Sequence, residues 1–205
     1  MYDEFSEVVK LHKDVPKLFR SLIQFHKYCV YIFAGSQESM MKNLFVSSKG
    51  VFFKFARSLY LDFLEEKDCK NYIKERLKAN QKEVERIVEI TKCHPYYLKK
   101  LLHIKLTREK ASLEEALRIL LEEERHYLEL LMWHLKEKKY RAEVVRILSC
   151  GENPYELLKG VIRTQQINQI LRDLEFEGVV RRRARGKYEL TDPLLALYLC
   201  RKYQP

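Results

Sequence analysis

The chain has 205 residues, 46% of them hydrophobic and 33% charged, a balance that fits a soluble globular protein and excludes a disordered one. No apolar run approaches the ~18 residues of a spanning helix and no leader pattern opens the sequence, so a cytoplasmic protein with no membrane partner is expected. The formal charge is +10, and from Lys138 onward 14 Lys and Arg face 8 Asp and Glu, so the excess is concentrated in the last third, where nucleic acid is one partner it suits.

Val15 to Phe25 repeats apolar residues at helical spacing, with Asp14 placed to cap and Pro16 in the first turn, which predicts a helix with one buried face. Tyr28 to Ala34 is continuously apolar or aromatic and predicts a buried strand covered on both faces. Leu59 to Phe63 is a further strand candidate. From Glu65 the pattern turns helical: Lys67 to Leu77, Gln81 to Thr91, a third helix from Pro95, and a long one that opens at Ser112 and runs to about Lys136. Ser112 and Glu115 have capping-box spacing. Glu122-Glu123-Glu124-Arg125 reads as a solvated face, and Trp133 with Leu130 and Leu131 as core. The last third predicts helices at Tyr140–Leu148, from Asn153-Pro154, and at Thr164–Phe176, stopped by Gly178. Two short strands around Arg185-Gly186 and a final helix from Asp192 to Tyr203 follow; three helices and a two-stranded wing are the order of a winged helix.

The five cysteines are odd in number and widely spaced, without a C-x-x-C, which argues against a disulfide framework or a zinc site and for reduced thiols in or near the core. His126 and His134 stand eight apart on one predicted helix, not at the four-residue spacing of a metal pair.

Chemistry concentrates at two places near the start. Tyr31-Ile32-Phe33-Ala34 ends abruptly at Gly35-Ser36-Gln37, a strand that delivers a small hydroxyl at its C-terminal end, and Asp3-Glu4 lies one helix upstream. Nucleotide-binding α/β sites place such a hydroxyl and such acids beside phosphates and metal. Read alone, Asp3-Glu4 is equally a solvated pair, and Gly35-Ser36 a turn with a helix cap.

Together with Thr91-Lys92-Cys93-His94-Pro95-Tyr96-Tyr97 and Lys187-Tyr188-Glu189-Leu190-Thr191-Asp192-Pro193-Leu194-Leu195, these segments resemble the archaeal ATPase family, a STAND-type branch of the AAA+ P-loop NTPases. The resemblance runs along essentially the whole chain. It implies a mostly α protein with a small α/β remnant: the rear of an ATPase core over residues 1–64, a helical lid over 65–137 and a winged helix over 138–205. It implies ATP and Mg²⁺ as the cofactors of a complete site, with Asp3 holding Mg²⁺ through water, Glu4 polarising the attacking water, and Ser36 as the sensor near the γ-phosphate. His94 and Pro95 would lie in the lid near the nucleotide. Four features depart from the family pattern. No Gly-x-x-x-x-Gly-Lys-Ser/Thr loop occurs in the 205 residues, the strand before Asp3 is reduced to Met1-Tyr2, Lys54 stands where arginine is common, and Cys93 replaces a glycine. The front of the ATPase is expected to be missing, and this chain alone is not expected to hydrolyse ATP.

In the last third, Arg181, Arg182, Arg183, Arg185 and Lys187 on the wing suit double-stranded DNA phosphates, while Arg163, Gln165, Gln166 and Asn168 on the third helix suit base edges. Intramolecular docking of the winged helix is the competing expectation. Two further readings stand beside the truncated ATPase: a DNA-binding regulator whose N-terminal part is scaffold or dimerisation surface, and a fragment of a disrupted gene. Self-association through Tyr28–Ala34, or pairing with the missing ATPase part, is expected of a parallel strand with too few neighbours.

Overall fold

Six glycines and five prolines leave few places to break a helix, and the computed structural model is accordingly mostly helical. It describes residues 1–108, 111–184 and 186–200. The chain divides into two compact units, one comprising Met1–Tyr60 with Leu171–Arg181, the other Leu61–Ile170 with the residues from Arg182.

The first unit opens with an extended pair of residues and a 3-10 turn at Phe5–Glu7, then α1 (Val8–Leu11), α2 (Val15–Ile23) and α3 (Glu38–Phe45). Its core is aromatic. Phe5, Phe45 and Phe52 are buried with Ile23 and Leu44, and Phe19, Phe33 and Phe55 pack around them. Phe5 meets Phe33 at 4.6 Å and Phe45 stacks on Phe52 at 5.1 Å, so ring contacts run through the core of this unit. The segment after α3 folds back onto it: the Phe52 amide donates to the Leu44 carbonyl at 2.9 Å, and the Arg20 guanidinium donates to the Val51 carbonyl. Gly50 makes this return tight, since a Cβ there would lie 2.3 Å from the Asn43 oxygen and 2.5 Å from that of Leu44. Ser39, in the first turn of α3, donates its hydroxyl to the Phe176 carbonyl at 3.0 Å.

Two expectations for this unit need correction. Tyr28–Ala34 is not a buried strand: Tyr28 is 100% and Val30 91% exposed, and the segment pairs only at its end, through a parallel bridge between Tyr2 and Phe33. Continuous apolar sequence predicts burial on both faces, but here a single neighbouring segment is present to cover it. The helix α2 does have the one buried face expected of it, with Pro16 and Ile23 buried and Phe19 packed against the core, while Leu18 and Leu22 stay exposed. Leu59–Phe63 forms no strand; Leu59 and Leu61 are exposed and pair with no neighbour in a sheet.

The second unit contains α4 (Glu66–Arg76), α5 (Gln81–Thr91), α6 (Pro95–Thr107), α7 (Leu113–Lys136), α8 (Arg141–Ser149) and α9 (Pro154–Leu157). The helix α10 (Thr164–Phe176) begins here and ends among residues of the first unit. The hairpin of β1 (Val180–Ala184) and β2 (Lys187–Leu190) leads into α11 (Pro193–Leu199). Local chemistry sets these boundaries. The side chains of Asn80 and Ser112 accept from the amides of Glu83 and Glu115 at 3.0 and 3.1 Å and start α5 and α7. Pro95, Pro154 and Pro193 each occupy a first-turn position whose amide needs no partner. The core is drawn from Ile73, Val84, Ile87, Leu98, Leu101, Leu120, Leu128, Val144 and Leu195.

Two corrections apply here. Glu124 is not on a solvated face: it is buried and accepts from the Tyr96 hydroxyl at 2.7 Å and the Lys100 ammonium at 2.6 Å. Trp133 is not core but 60% exposed, one turn beyond Leu130, which is exposed as well. The buried stripe of α7 runs instead through Leu113, Leu117, Leu120, Leu128 and Leu135.

Replacing Gly50 by Ala should destabilise the first unit by about 1–3 kcal/mol, because the clash is with backbone oxygens that cannot swing aside. Urea unfolding followed by aromatic fluorescence checks this; an unchanged midpoint would contradict the packing described.

Candidate functional site

Parallel pairing places the first candidate residues. The Tyr2 amide donates to the Ile32 carbonyl and the Ala34 amide to the Tyr2 carbonyl, both at 2.8 Å, so Met1-Tyr2 runs alongside Ile32-Phe33-Ala34 in the same direction. Asp3-Glu4 and Gly35-Ser36 therefore leave this pair at the same end, the C-terminal one. Glu4 and Ser36 meet there. The Ser36 hydroxyl donates to Glu4 Oε2 at 2.9 Å and the Ser36 amide to the same oxygen at 3.3 Å. A second tie follows, from the Gln37 side-chain Nε2 to Glu7 Oε1 at 3.2 Å. Glu4 holds this position with φ of 46°, in the left-handed region that costs a non-glycine residue on the order of 1–2 kcal/mol. Asp3 is exposed, and its Oδ1 accepts from the Glu4 amide at 3.0 Å.

Phosphate and metal demand more than this. Two exposed carboxylates and a hydroxyl lie at the strand ends, no glycine-rich loop with its lysine exists in the sequence, and no cluster of three acidic, His or Cys side chains able to hold a metal occurs among the described residues. The residues present do not fit a complete ATP–Mg²⁺ site. Lys54 is exposed on a left-handed turn, with its ammonium 5.3 Å from the Phe53 ring centre.

His94 and Pro95 open α6 in the second unit. His94 precedes the helix in extended backbone and its ring packs against Phe63 at 4.9 Å and Tyr97 at 4.7 Å. Its Nδ1 is buried and has no hydrogen-bond partner among the described residues. Burial lowers the His94 pKa, and the charge of Asp192 offsets part of that shift. Cys93 adopts φ of 59°, the left-handed conformation that a glycine takes without strain.

Sequence reasoning missed the contact that joins its own two most specific segments. The Tyr97 hydroxyl donates to Asp192 Oδ2 at 2.8 Å, while Asp192 Oδ1 accepts the Leu194 and Leu195 amides at 2.8 and 2.9 Å and caps α11. Burial, and then Asp192, push the Tyr97 phenol far up. Co-occurrence of the two segments was the signal available for finding this pair.

The residues expected to meet DNA are partly engaged within the chain. Asn168 accepts the Tyr155 hydroxyl at 2.7 Å, and Gln166 accepts the Arg163 amide at 3.2 Å as a cap of α10. Arg183 pairs with Glu189 across the hairpin at 2.7 Å, and Arg182 Nε donates to the Ala184 carbonyl at 3.3 Å. Gln165, Arg182 and Lys187 are exposed, Arg181 is half-buried, and Arg185 lies outside the described residues. A cleft of about 340 Å³ beside the start of α10 is lined by Lys139, Tyr140, Val161, Gln166 and Gln169 among others.

No family model matches the sequence, and no curated protein matches it. Among solved structures, the fold is similar to that of the Walker-type ATPase of Pyrococcus abyssi, with a TM-score of 0.71 at 17% identity. The similarity covers 96% of this chain and 61% of that one, so the chain spans less than two thirds of its neighbour's length. At this identity the likeness is one of fold: a mostly helical chain similar in fold to part of a Walker-type ATPase. No helix among the described residues is long and apolar enough to cross a membrane.

Because folding lowers the His94 pKa, the folded state prefers the neutral ring. The stability this confers is present above the ordinary value of 6.5 and falls as pH drops below it, levelling once the lower folded value is passed. Denaturation midpoints should therefore decline from pH 7 to 5, with a shallower decline in His94→Gln. Equal slopes for the two proteins would rule out His94 as the group responsible.

Proposed function

We propose that this chain is the rear part of a STAND-type ATPase switch, with residues 65–137 as its helical lid and 138–205 as a winged helix. The hydrogen bond between Glu4 and Ser36 at the shared end of two parallel segments carries the reading, in a fold similar to that of a Walker-type ATPase. In this reading Asp3, Glu4 and Ser36 are the acid and sensor side of a nucleotide site, and His94 and Pro95 belong to its lid. The phosphate-gripping side is not among these residues, so turnover is not assigned to the chain alone. The exposed apolar residues Leu18, Leu22, Phe25, Val30 and Ile32 support the same reading, since they form the kind of surface that neighbouring strands bearing a phosphate loop would cover.

Purified protein should release no phosphate from ATP above background with Mg²⁺ present, because positioning and charge stabilisation supply nearly all phosphoryl-transfer catalysis and half of that apparatus is lacking. Turnover that disappears in Glu4→Gln would refute the assignment. Light scattering in parallel separates a chain that self-associates through its apolar face from one that stays monomeric.

A second reading, duplex DNA binding, is favoured by the exposed Gln165 on α10 and the exposed Arg182 and Lys187 on the hairpin. Binding should weaken with salt, and the log K against log[salt] slope should flatten by about 0.9 for each phosphate contact removed. Arg182→Ala and Lys187→Ala should lower affinity for all sequences. Arg183→Ala should do so less, since Glu189 already engages its guanidinium. Absence of binding at low salt would leave intramolecular docking of the winged helix as the surviving account.

A further inference from the structure

The expectation that every cysteine sits in or near the core holds for only part of the set. Cys69 and Cys93 are buried, whereas Cys29 and Cys150 are exposed and Cys200 is half-exposed. Two of the accessible ones are neighbours. Cys150 and Cys200 are 50 positions apart in sequence, yet their sulfurs lie 3.4 Å apart in thiol–thiol contact. Each stands at the C-terminal cap of a helix, Cys150 after α8 and Cys200 after α11, and these two helices pack against one another. The far end of α11 is fixed by Asp192, which caps it and accepts from Tyr97. The pairing thus rests on packed helices and not on a chance meeting of loops.

We propose that Cys150 and Cys200 form a thiol–disulfide modification site that takes a low-molecular-weight disulfide as its oxidant. A bond of about 2.0 Å requires the sulfurs to approach by roughly 1.4 Å, within reach of small side-chain and cap adjustments. The more exposed Cys150 thiolate attacks one sulfur of the oxidant and expels the other as a thiolate. Cys200 then attacks the Cys150 sulfur of the mixed disulfide and expels the second small thiolate. Two protein thiols are oxidised, one small disulfide is reduced, and the two thiol protons end on the released small thiols. The buried pair provides an internal contrast: burial, together with the neighbouring Cys93, pushes the Cys69 thiol up to about 12, which leaves little thiolate to react.

The bond would enclose α9, α10 and the hairpin in one covalent loop and pin the end of α11 to α8. By restricting the unfolded chain it raises thermal stability, and it fixes the helix that carries the Asp192 cap. Neither cysteine is among the residues proposed for nucleotide or DNA contact.

The test uses the full chain incubated with oxidised glutathione, blocked with an alkylating reagent, and mapped by peptide mass spectrometry. The expected product is a Cys150–Cys200 cross-link, two hydrogens lighter than the reduced protein and reversed by dithiothreitol. Its thermal midpoint should be about 5–10 °C above that of the reduced form. Cys150→Ser and Cys200→Ser should each abolish both effects while matching the reduced wild type in midpoint, and Cys29→Ser should abolish neither. Should the serine variants fold poorly, mapping of the wild-type cross-link decides the matter alone. A persistent glutathione adduct on Cys150, or a cross-link mapped to another pair, overturns the proposal.

Discussion

One carboxylate, Asp192, receives bonds from two directions, and the order of the helical unit follows from it. With one oxygen it satisfies two backbone amides at the start of α11, which otherwise would lack partners; with the other it takes the Tyr97 hydroxyl from α6. A half-buried carboxylate is costly unless its lone pairs are used, and here the Leu194 and Leu195 amides and the Tyr97 hydroxyl share that work. Because α11 packs on α5, α7, α8 and β2, fixing its first turn fixes the contact of the hairpin segment with the long helices. His94 feels the same charge, so the segment that starts α6 and the segment that starts α11 are electrostatically one structure.

The other unit is organised on different physics. It has one parallel bridge and short helices, and its cohesion comes from rings around Phe5, Phe33 and Phe52. That cluster supports the strand end where Glu4 and Ser36 meet, and a left-handed Glu4 is tolerated because Phe5 directly after it is anchored in the cluster. Yet the pair is exposed. A hydrogen bond to a carboxylate in water contributes little, and the same bond in a covered site contributes far more. A covering surface would strengthen the bond between Glu4 and Ser36, and apolar residues of α2 and of Tyr28–Ile32 stay exposed in the same unit.

Polar groups in the last third illustrate how tertiary bonds reassign a sequence motif. A run of arginines predicts a free basic wing, but the hairpin brings Glu189 opposite Arg183, and the short α9 brings Tyr155 to Asn168. Each engagement occupies a group otherwise open to a partner, while Arg163, Gln165 and Lys187 are exposed.

Helices in this chain were legible from sequence wherever a cap and an apolar period coincided: Asn80 before Gln81–Thr91, Ser112 before the long α7, Pro95 at the start of α6. These signals act within one or two turns, so no distant residue is needed to read them. Burial was not legible in the same way. Trp133 and Tyr28 are apolar in any alphabet and exposed in the fold, while Glu124 is charged and buried, because burial depends on which surface arrives opposite and on whether Tyr96 and Lys100 arrive with it. The sequence by itself determined where the capped helices begin, and it offered Glu4 and Ser36 only as two separate candidates by resemblance. Only tertiary structure decided that they touch, that Tyr97 meets Asp192, and that two cysteines 50 positions apart stand in contact. Those are long-range pairings, and local spacing carries no information about them until the helices between have packed.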